Sequence, residues 1–375
     1  MTDSICNAWF VDNWLPVLHG KRLYKIRAQE CIMATGSYEQ HVVFRGNDLP
    51  GVVMCSAAMR MMKLYAIKPG QSAVVLTGND DGYLTALALA AQGGEVKALV
   101  VMRGGVDDPM GTESSETKNL IFRAQQAGIA LRFGQTLYEA FGQDHVEAVE
   151  IRAIRGRGRV APEGDLLRCD LVCMSSGYMP AYQLLCQAGG QLSYDEARAE
   201  FSLRQLPQHL HIAGSVNGKH SINAVIKDAE YAAAAALTLL GHPPASQPEV
   251  VECSRKVNYD WPIFPHPKGK DFVDYDEDLQ SKDIVNATRL GYRDIQLVKR
   301  FSTVGMGPSQ GRHSALPTAR LVAQSTGRPG RTWFRPISTY RDAPSSPGAG
   351  CQNDPGGYLD AASVLSATRQ FVKRQ

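Results

Sequence analysis

The stretch from Ala73 to Arg103, AVVLTGNDDGYLTALALAAQGGEVKALVVMR, constrains this chain more than any other. Ala73–Leu76 is a short apolar run with two β-branched residues, and Glu95–Met102 reads as a second strand. Between them, Tyr83–Gln92 is rich in Ala and Leu, which favour helix, and Gly93-Gly94 stops it. Strand, turn, helix, turn, strand is a βαβ unit. Such units bind dinucleotides by aiming a helix N-terminus at a pyrophosphate.

The turn Thr77-Gly78-Asn79-Asp80-Asp81-Gly82 is a poor copy of the Gly-x-Gly-x-x-Gly fingerprint. With Gly82 as third glycine, Thr77 and Asn79 fill the first two places; with Gly78 as first, Asp80 and Tyr83 fill the others. Either register loses two glycines and puts two carboxylates where a pyrophosphate would approach. The second strand ends at Arg103, with no acid for ribose hydroxyls. Two readings stay open: a nucleotide site, or a structural βαβ unit in an α/β sheet.

The chain has 375 residues, 44% hydrophobic and 21% charged, with a net charge of +3. That is ordinary for a globular protein and argues for no particular partner. No run reaches the ~18 apolar residues of a membrane span, and Met1–Asn13 lacks the basic and apolar regions of a secretory signal. The eight cysteines include no Cys-x-x-Cys pair, and several lie in apolar runs. Reduced thiols and a cytoplasmic location are expected. The nine histidines are dispersed, so no metal site is expected. Arg152, Arg155, Arg157 and Arg159 gather at a glycine-rich hairpin tip without interleaved aromatics, which predicts a solvated hairpin rather than a nucleic-acid site.

Taken in order, Ala8–Val11, Trp14–Leu18, Leu23–Ala28 and Cys31–Ala34 read as strands, and the last runs into Ala34-Thr35-Gly36. Ser56–Tyr65 and Lys118–Ala127 read as helices, and Leu166–Met174 as a strand leaving through Ser175-Ser176-Gly177. Leu210–Ile212 leads into Ala213-Gly214-Ser215, followed by a helix over Ser221–Leu240. A strand ending in Ala-Thr-Gly with a downstream Asp-x-Pro-Gly-Val (Asp48–Val52) resembles the two-dinucleotide-binding-domain flavoproteins. In that family the Ala-Thr-Gly turn packs on the flavin nucleotide, and the second exit is a Gly-Asp pair; here Ser215 takes the Asp position. The upstream glycine fingerprint of an FAD domain is not found before Ala34, so the sequence is expected to begin inside that domain.

Beyond a linker the chain turns acidic at Asp271–Asp278. It then runs through Ser281–Leu290, a helix with Ser281 as its expected cap, and Asp294–Ser302 to Gly305-Met306-Gly307-Pro308-Ser309-Gln310-Gly311-Arg312. This piece resembles the [2Fe–2S] domains of related amine oxidoreductases. Matched residue by residue, the four cysteine positions hold Asp274, Asp276, Ser309 and Ser314, with His313 adjacent. An iron–sulfur cluster needs Cys or occasionally His ligands, so no cluster is expected.

The whole path from Ala8 to Pro336 resembles the α subunit of heterotetrameric sarcosine oxidase. The resemblance implies an α/β, two-dinucleotide-binding-domain flavoprotein fold: a partial FAD-type domain at 1–52, an inserted NAD(P)-type Rossmann-like domain at 53–180, and a return to the FAD-type domain at 181–245. A linker at 246–270, a helical [2Fe–2S]-like domain without Cys ligands at 271–336 and an irregular tail at 337–375 complete it. It implies NAD or FAD in the α-type fold, touched by Thr35, Gly36, Thr77, Gly78, Asn79, Asp80, Asp81, Gly82, Arg103, Gly177, Gly214 and Ser215. It also implies a β subunit that oxidises the amine, with FMN at the α–β interface, and smaller γ and δ subunits; no nucleic acid or membrane is involved. Lys299, Arg300, Ser302 and Thr303 are expected at the FMN phosphate, against the alternative of a helix C-terminus whose cations complement the dipole. No catalytic residue is expected in this chain, because amine oxidation lies on the β subunit. The implied reaction is oxidative demethylation of sarcosine to glycine with peroxide formation. The C-terminal folate-binding domain of the family is not found. The alternatives are a truncated non-catalytic remnant, a subunit of an N-methylglutamate or other amine dehydrogenase, or a free-standing disulfide or ferredoxin reductase, which the lack of Cys-x-x-Cys disfavours.

Overall fold

The structure is a computed structural model, described here for residues 1–6, 8–105, 114–246, 248–249 and 257–327. The expected tail at 337–375, residues 328–336 of the expected helical domain, residues 106–113, and residues 247 and 250–256 of the expected linker lie outside the described residues.

Its centre is a five-stranded, all-parallel sheet in the order Val52–Met54, Leu171–Ser175, Ser72–Thr77, Glu95–Val101, Leu131–Phe133. Parallel strands need cover on both faces, and period-two alternation supplies it. Ala73, Val75, Leu99, Val101, Leu171 and Cys173 face the helices Cys55–Leu64, Asp80–Ala91 and Ser115–Gln126. Val74, Leu76, Val100, Val172 and Met174 face a three-stranded antiparallel sheet of Gln135–Phe141, Ala148–Gly156 and Arg159–Arg168. The stretch Leu166–Met174, expected as one strand, is therefore two: its first residues end the antiparallel sheet and the remainder joins the parallel one. The break is the Cys169-Asp170 corner, where Asp170 accepts the backbone N–H groups of Gln71 and Ser72.

The second half of the fold is built on a parallel pair, Cys31–Met33 with Leu210–Ile212, and the helix Ile222–Leu239. The antiparallel strands Ser4–Cys6, Trp14–His19 and Arg22–Arg27 form a separate sheet. Ala8–Val11 is not a strand, correcting the expectation; Asp12 and Asn13 have φ of 62° and 53°, which turns the chain there instead. The two halves meet through a short antiparallel pair, Ser37–Glu39 with Tyr178–Pro180. The fold is that of the two-dinucleotide-binding-domain flavoproteins.

The helical appendage comprises Ser281–Arg289, Ile295–Ser302 and Ala315–Thr326 behind a small hairpin, Phe272–Asp274 with Leu279–Gln280. It is fused to the rest through shared apolar cores. Val43, Trp261 and Ile263 pack with Ile284, Val298 and Leu321, while Leu316 and Ala319 pack with Met33, Met179 and Phe201. The Ser281–Arg289 helix is capped by Gln280 and Asp283 in a capping box rather than by Ser281. The Ser281 hydroxyl donates instead to the buried Asp271 carboxylate.

Candidate functional site

The carboxyl ends of the parallel strands are where an α/β sheet of this type holds a ligand. There the helix starts earlier than expected: Asp80, Asp81 and Gly82 form its first turn, and Asn79 is the N-cap, its Oδ1 accepting the Asp81 N–H at 3.0 Å. The capping residue wins the three positions because its side chain satisfies a helix N–H that a glycine turn would leave for a ligand.

The structure also decides between the two fingerprint registers. A Cβ on Gly82 would overlap the Thr77 side chain, so Gly82 is the glycine that lets helix and strand close. Thr77 and Asn79 therefore occupy the first two glycine places. The Thr77 hydroxyl donates to Asn79 O at 2.5 Å, and Asn79 Oδ1 also accepts from the Ser175 hydroxyl at 3.0 Å.

A segment that sequence reasoning treated as linker covers this turn. Asn79 Nδ2 donates to Val257 O at 3.1 Å, and the Tyr259 N–H donates to Ser176 O at 2.8 Å. A Cβ on Gly78 would come within 2.8 Å of Tyr259 Cβ, and one on Gly177 (φ 139°) would overlap the Asn258 side chain. Asn258 Oδ1 accepts the Tyr178 N–H at 2.5 Å while its Nδ2 donates to Glu200 at 3.2 Å. Arg103 pins the arrangement: Nε donates to Gly78 O at 2.8 Å and Nη2 to Asn258 O at 3.2 Å.

The carboxylates are equally committed. Asp80 accepts from the Thr117 hydroxyl at 2.9 Å, and Asp81 from the Tyr178 hydroxyl at 2.5 Å. Burial, with the neighbouring Asp81 and Glu39 carboxylates, pushes the Tyr178 phenol far up. Burial also raises Glu39 and carries Glu200 to about 7 despite its ion pair with Arg198 at 2.6 Å. With two carboxylates at the helix start and protein atoms against Gly78 and Gly177, the residues present do not fit a dinucleotide pyrophosphate in this crevice. Asn258 and Tyr259 carried no motif by which the sequence could have marked them.

The FAD-type half is built differently. Cys31–Met33 and Leu210–Ile212 deliver Thr35-Gly36 and Gly214-Ser215 side by side. Gly36 and Gly214 have φ of 81° and 83°, in the left-handed region that favours glycine. Here the surroundings are open. A Cβ on Gly36 would find only Ser215 Oγ, at 3.8 Å, and one on Gly214 only Val225 Cγ1, at 3.5 Å. The Thr35 hydroxyl donates to Ala181 O at 2.8 Å, and the Gly214 N–H donates to buried Asp228 at 2.8 Å. These two glycines lack the close protein contacts that fill the closed crevice.

In the appendage, the Ser302 hydroxyl donates to Val298 O at 2.7 Å and the Thr303 hydroxyl to Glu277 at 3.0 Å. Lys299 is buried, which lowers its pKa, and Arg300 is exposed. The two hydroxyls are thus engaged by protein. The four cysteine-equivalent positions do converge. Asp276 accepts the Ser309 N–H at 2.8 Å, and Asp274 accepts the Gly305 N–H at 2.7 Å beside His313. Burial pushes the Asp274 carboxyl up, but His313 and the Gly305 N–H outweigh it and hold it at about 2.

Comparison with known proteins agrees with this architecture. Residues 268–348 match the family model of the sarcosine oxidase A3 domain. The sarcosine oxidase subunit alpha of Rhizobium meliloti (strain 1021) is 30% identical over 332 residues, covering 87% of this chain and 31% of that protein. That of Corynebacterium sp. (strain P-1) is 25% identical over 82% of this chain and 31% of its own length. The hydrogen cyanide synthase subunit HcnB of Pseudomonas protegens is 24% identical over 86% of this chain and 75% of its own. Among solved structures, L-proline dehydrogenase from P. horikoshii shares the fold with a TM-score of 0.61 at 19% identity, over 90% of this chain and 63% of that one. This chain is thus similar, over most of its own length, to about a third of the sarcosine oxidase α subunits it matches, and its residues 268–348 resemble their A3 domain.

Proposed function

We propose that this chain is the α-type component of a flavin-dependent amine oxidoreductase of the sarcosine oxidase kind, serving as scaffold and partner-binding unit rather than as the seat of chemistry. The observation that carries the reading is the union, in one chain, of the two-dinucleotide fold and an A3-type appendage sharing its cores. In this reading residues 1–52 and 181–245 form the FAD-type part, 53–180 the NAD-type part and 271–336 the appendage.

An adenine dinucleotide is held at Thr35, Gly36, Gly214 and Ser215. It supplies binding and rigidity there; the closed NAD-type crevice holds the two halves together. Lys299 and Arg300 face the phosphate of an FMN shared with a β subunit, and smaller γ and δ subunits complete the assembly. The complex oxidises a secondary amine such as sarcosine to glycine, with the methylene passing to tetrahydrofolate or leaving as formaldehyde, and with peroxide as co-product.

The test is co-expression with a β-type subunit. A co-purifying complex that contains flavin and turns over sarcosine supports the reading, and Lys299→Ala with Arg300→Ala should lower its FMN content. A chain that never co-purifies, or that does so without flavin, favours the non-catalytic alternative. Turnover of N-methylglutamate but not sarcosine would keep the fold-level reading and change the substrate.

A further inference from the structure

We propose that Asp274, Asp276 and His313 form a binding site for one divalent d-block cation, of which Zn²⁺ is the best match. The three offer one ligand atom each, and these atoms lie within 4.8 Å of one another. Two carboxylate oxygens and an imidazole nitrogen are a donor set suited to zinc and its neighbours. The Asp274 Oδ1 to His313 Nε2 separation is 3.5 Å. That is close to the edge of a tetrahedron with metal–ligand bonds of about 2.0–2.1 Å, roughly 3.4 Å.

Four features separate this place from an ordinary acidic cluster. First, the histidine is caught between incompatible neighbours. The Tyr275 N–H donates to His313 Nε2 at 3.1 Å, which requires a bare lone pair there, yet the same atom faces the Asp274 carboxylate. A proton on Nε2 would satisfy Asp274 and confront Tyr275 N–H; no proton leaves two acceptors facing each other. A cation relieves the second arrangement, at the cost of the Tyr275 contact.

Second, Ser314 is fully buried, and its hydroxyl lies against the Asp274 carboxylate, where a metal or its bound water would engage it. Third, the loop is shaped to wrap the site. Gly307 has no Cβ where one would overlap Asp276, so the backbone from Gly305 to Ser309 closes over both carboxylates and donates to them. Fourth, His41 forms the wall, its ring centroid 5.8 Å from that of His313, with Nδ1 buried and unpartnered. Asp276 is exposed and His313 half-buried, so a cation can enter from solvent.

The site would add to the hydrogen bonds that already tie the Phe272–Asp274 strand to the Gly305–Ser314 loop. It does not depend on the amine oxidase reading.

The probe is Co²⁺, with Zn²⁺ as competitor, added to the full chain after chelator stripping. One equivalent of Co²⁺ should develop a visible d–d band that one equivalent of Zn²⁺ removes. Asp276→Asn and His313→Gln should each weaken Co²⁺ binding at least about tenfold. Should either variant fail to fold, the unmodified chain still decides: saturating Zn²⁺ must raise its melting temperature, and Glu30→Gln, at the separate Glu30–His209–His211 group, must leave the Co²⁺ band intact. No band, no zinc-dependent melting shift, or equal binding in the two site variants overturns the proposal.

Discussion

The side chain of Asn258 fills the volume that a Cβ on Gly177 would need. One contact joins a residue from the segment after the Ile222–Leu239 helix to the exit of a parallel strand, at the place where a nucleotide-binding relative would keep space. Gly177→Ala is therefore expected to destabilise the chain by about 2–3 kcal/mol, since overpacking a filled site costs about 1–3 kcal/mol and its φ of 139° adds strain. Urea denaturation measures this, and Asn258→Gly in the same background should recover part of the loss. Equal stability of Gly177→Ala and the parent would mean that Asn258 does not hold this position.

Gly82→Ala separates two opposing effects. Helix propensity alone favours Ala by about 1 kcal/mol. The new Cβ would, however, overlap the buried Thr77 side chain, which is fixed on its strand. The overlap is expected to win by about 1–2 kcal/mol net, read as a lower denaturation midpoint with unchanged slope. A gain in stability would show that the helix can lift off the strand freely.

Much of the fold was legible in the sequence because its signals are local. The Ala-Thr-Gly exit, the Ala-rich Ile222–Leu239 helix and the strand flanks of the βαβ unit each follow from composition over a few residues. What the sequence did not carry was tertiary. The degraded turn left its register open until the Thr77–Gly82 contact decided it. Asn258 lies 80 positions beyond Tyr178, and Val257 lies 178 beyond Asn79, so no window could join them. The convergence of Asp274, Asp276, Ser309 and Ser314 was visible only by matching the cysteine pattern of relatives, and His313 gained its meaning from distances alone.

Glu200 gives a pH signature. Its folded-state pKa of about 7 lies above the ordinary value of 4.5 because burial disfavours the charge. Between those two values the folded chain keeps a proton that the unfolded chain has released, so stability must fall as pH rises from 4.5 to 7. The contribution is on the order of 3 kcal/mol, and Glu200→Gln should remove that slope from the pH–stability curve. The same slope in the variant would place the proton elsewhere.

Nucleotide retention should follow the open glycines and ignore the closed ones. Asp80→Asn with Asp81→Asn removes both carboxylates from the NAD-type helix start, and is expected to create no NAD affinity by calorimetry, because Asn258 and Tyr259 still cover the turn. Gly36→Val is expected to release any adenine nucleotide that co-purifies. New NAD binding by the double variant would show that charge, not the covering segment, closes the crevice.

The central claim, an α-type chain that works by assembling with a flavin-bearing partner, is tested most directly by native mass spectrometry of the chain co-expressed with a sarcosine-oxidase-type β subunit. The account predicts a complex that contains both chains and carries flavin. This chain recovered only by itself, with the β subunit free, would contradict it.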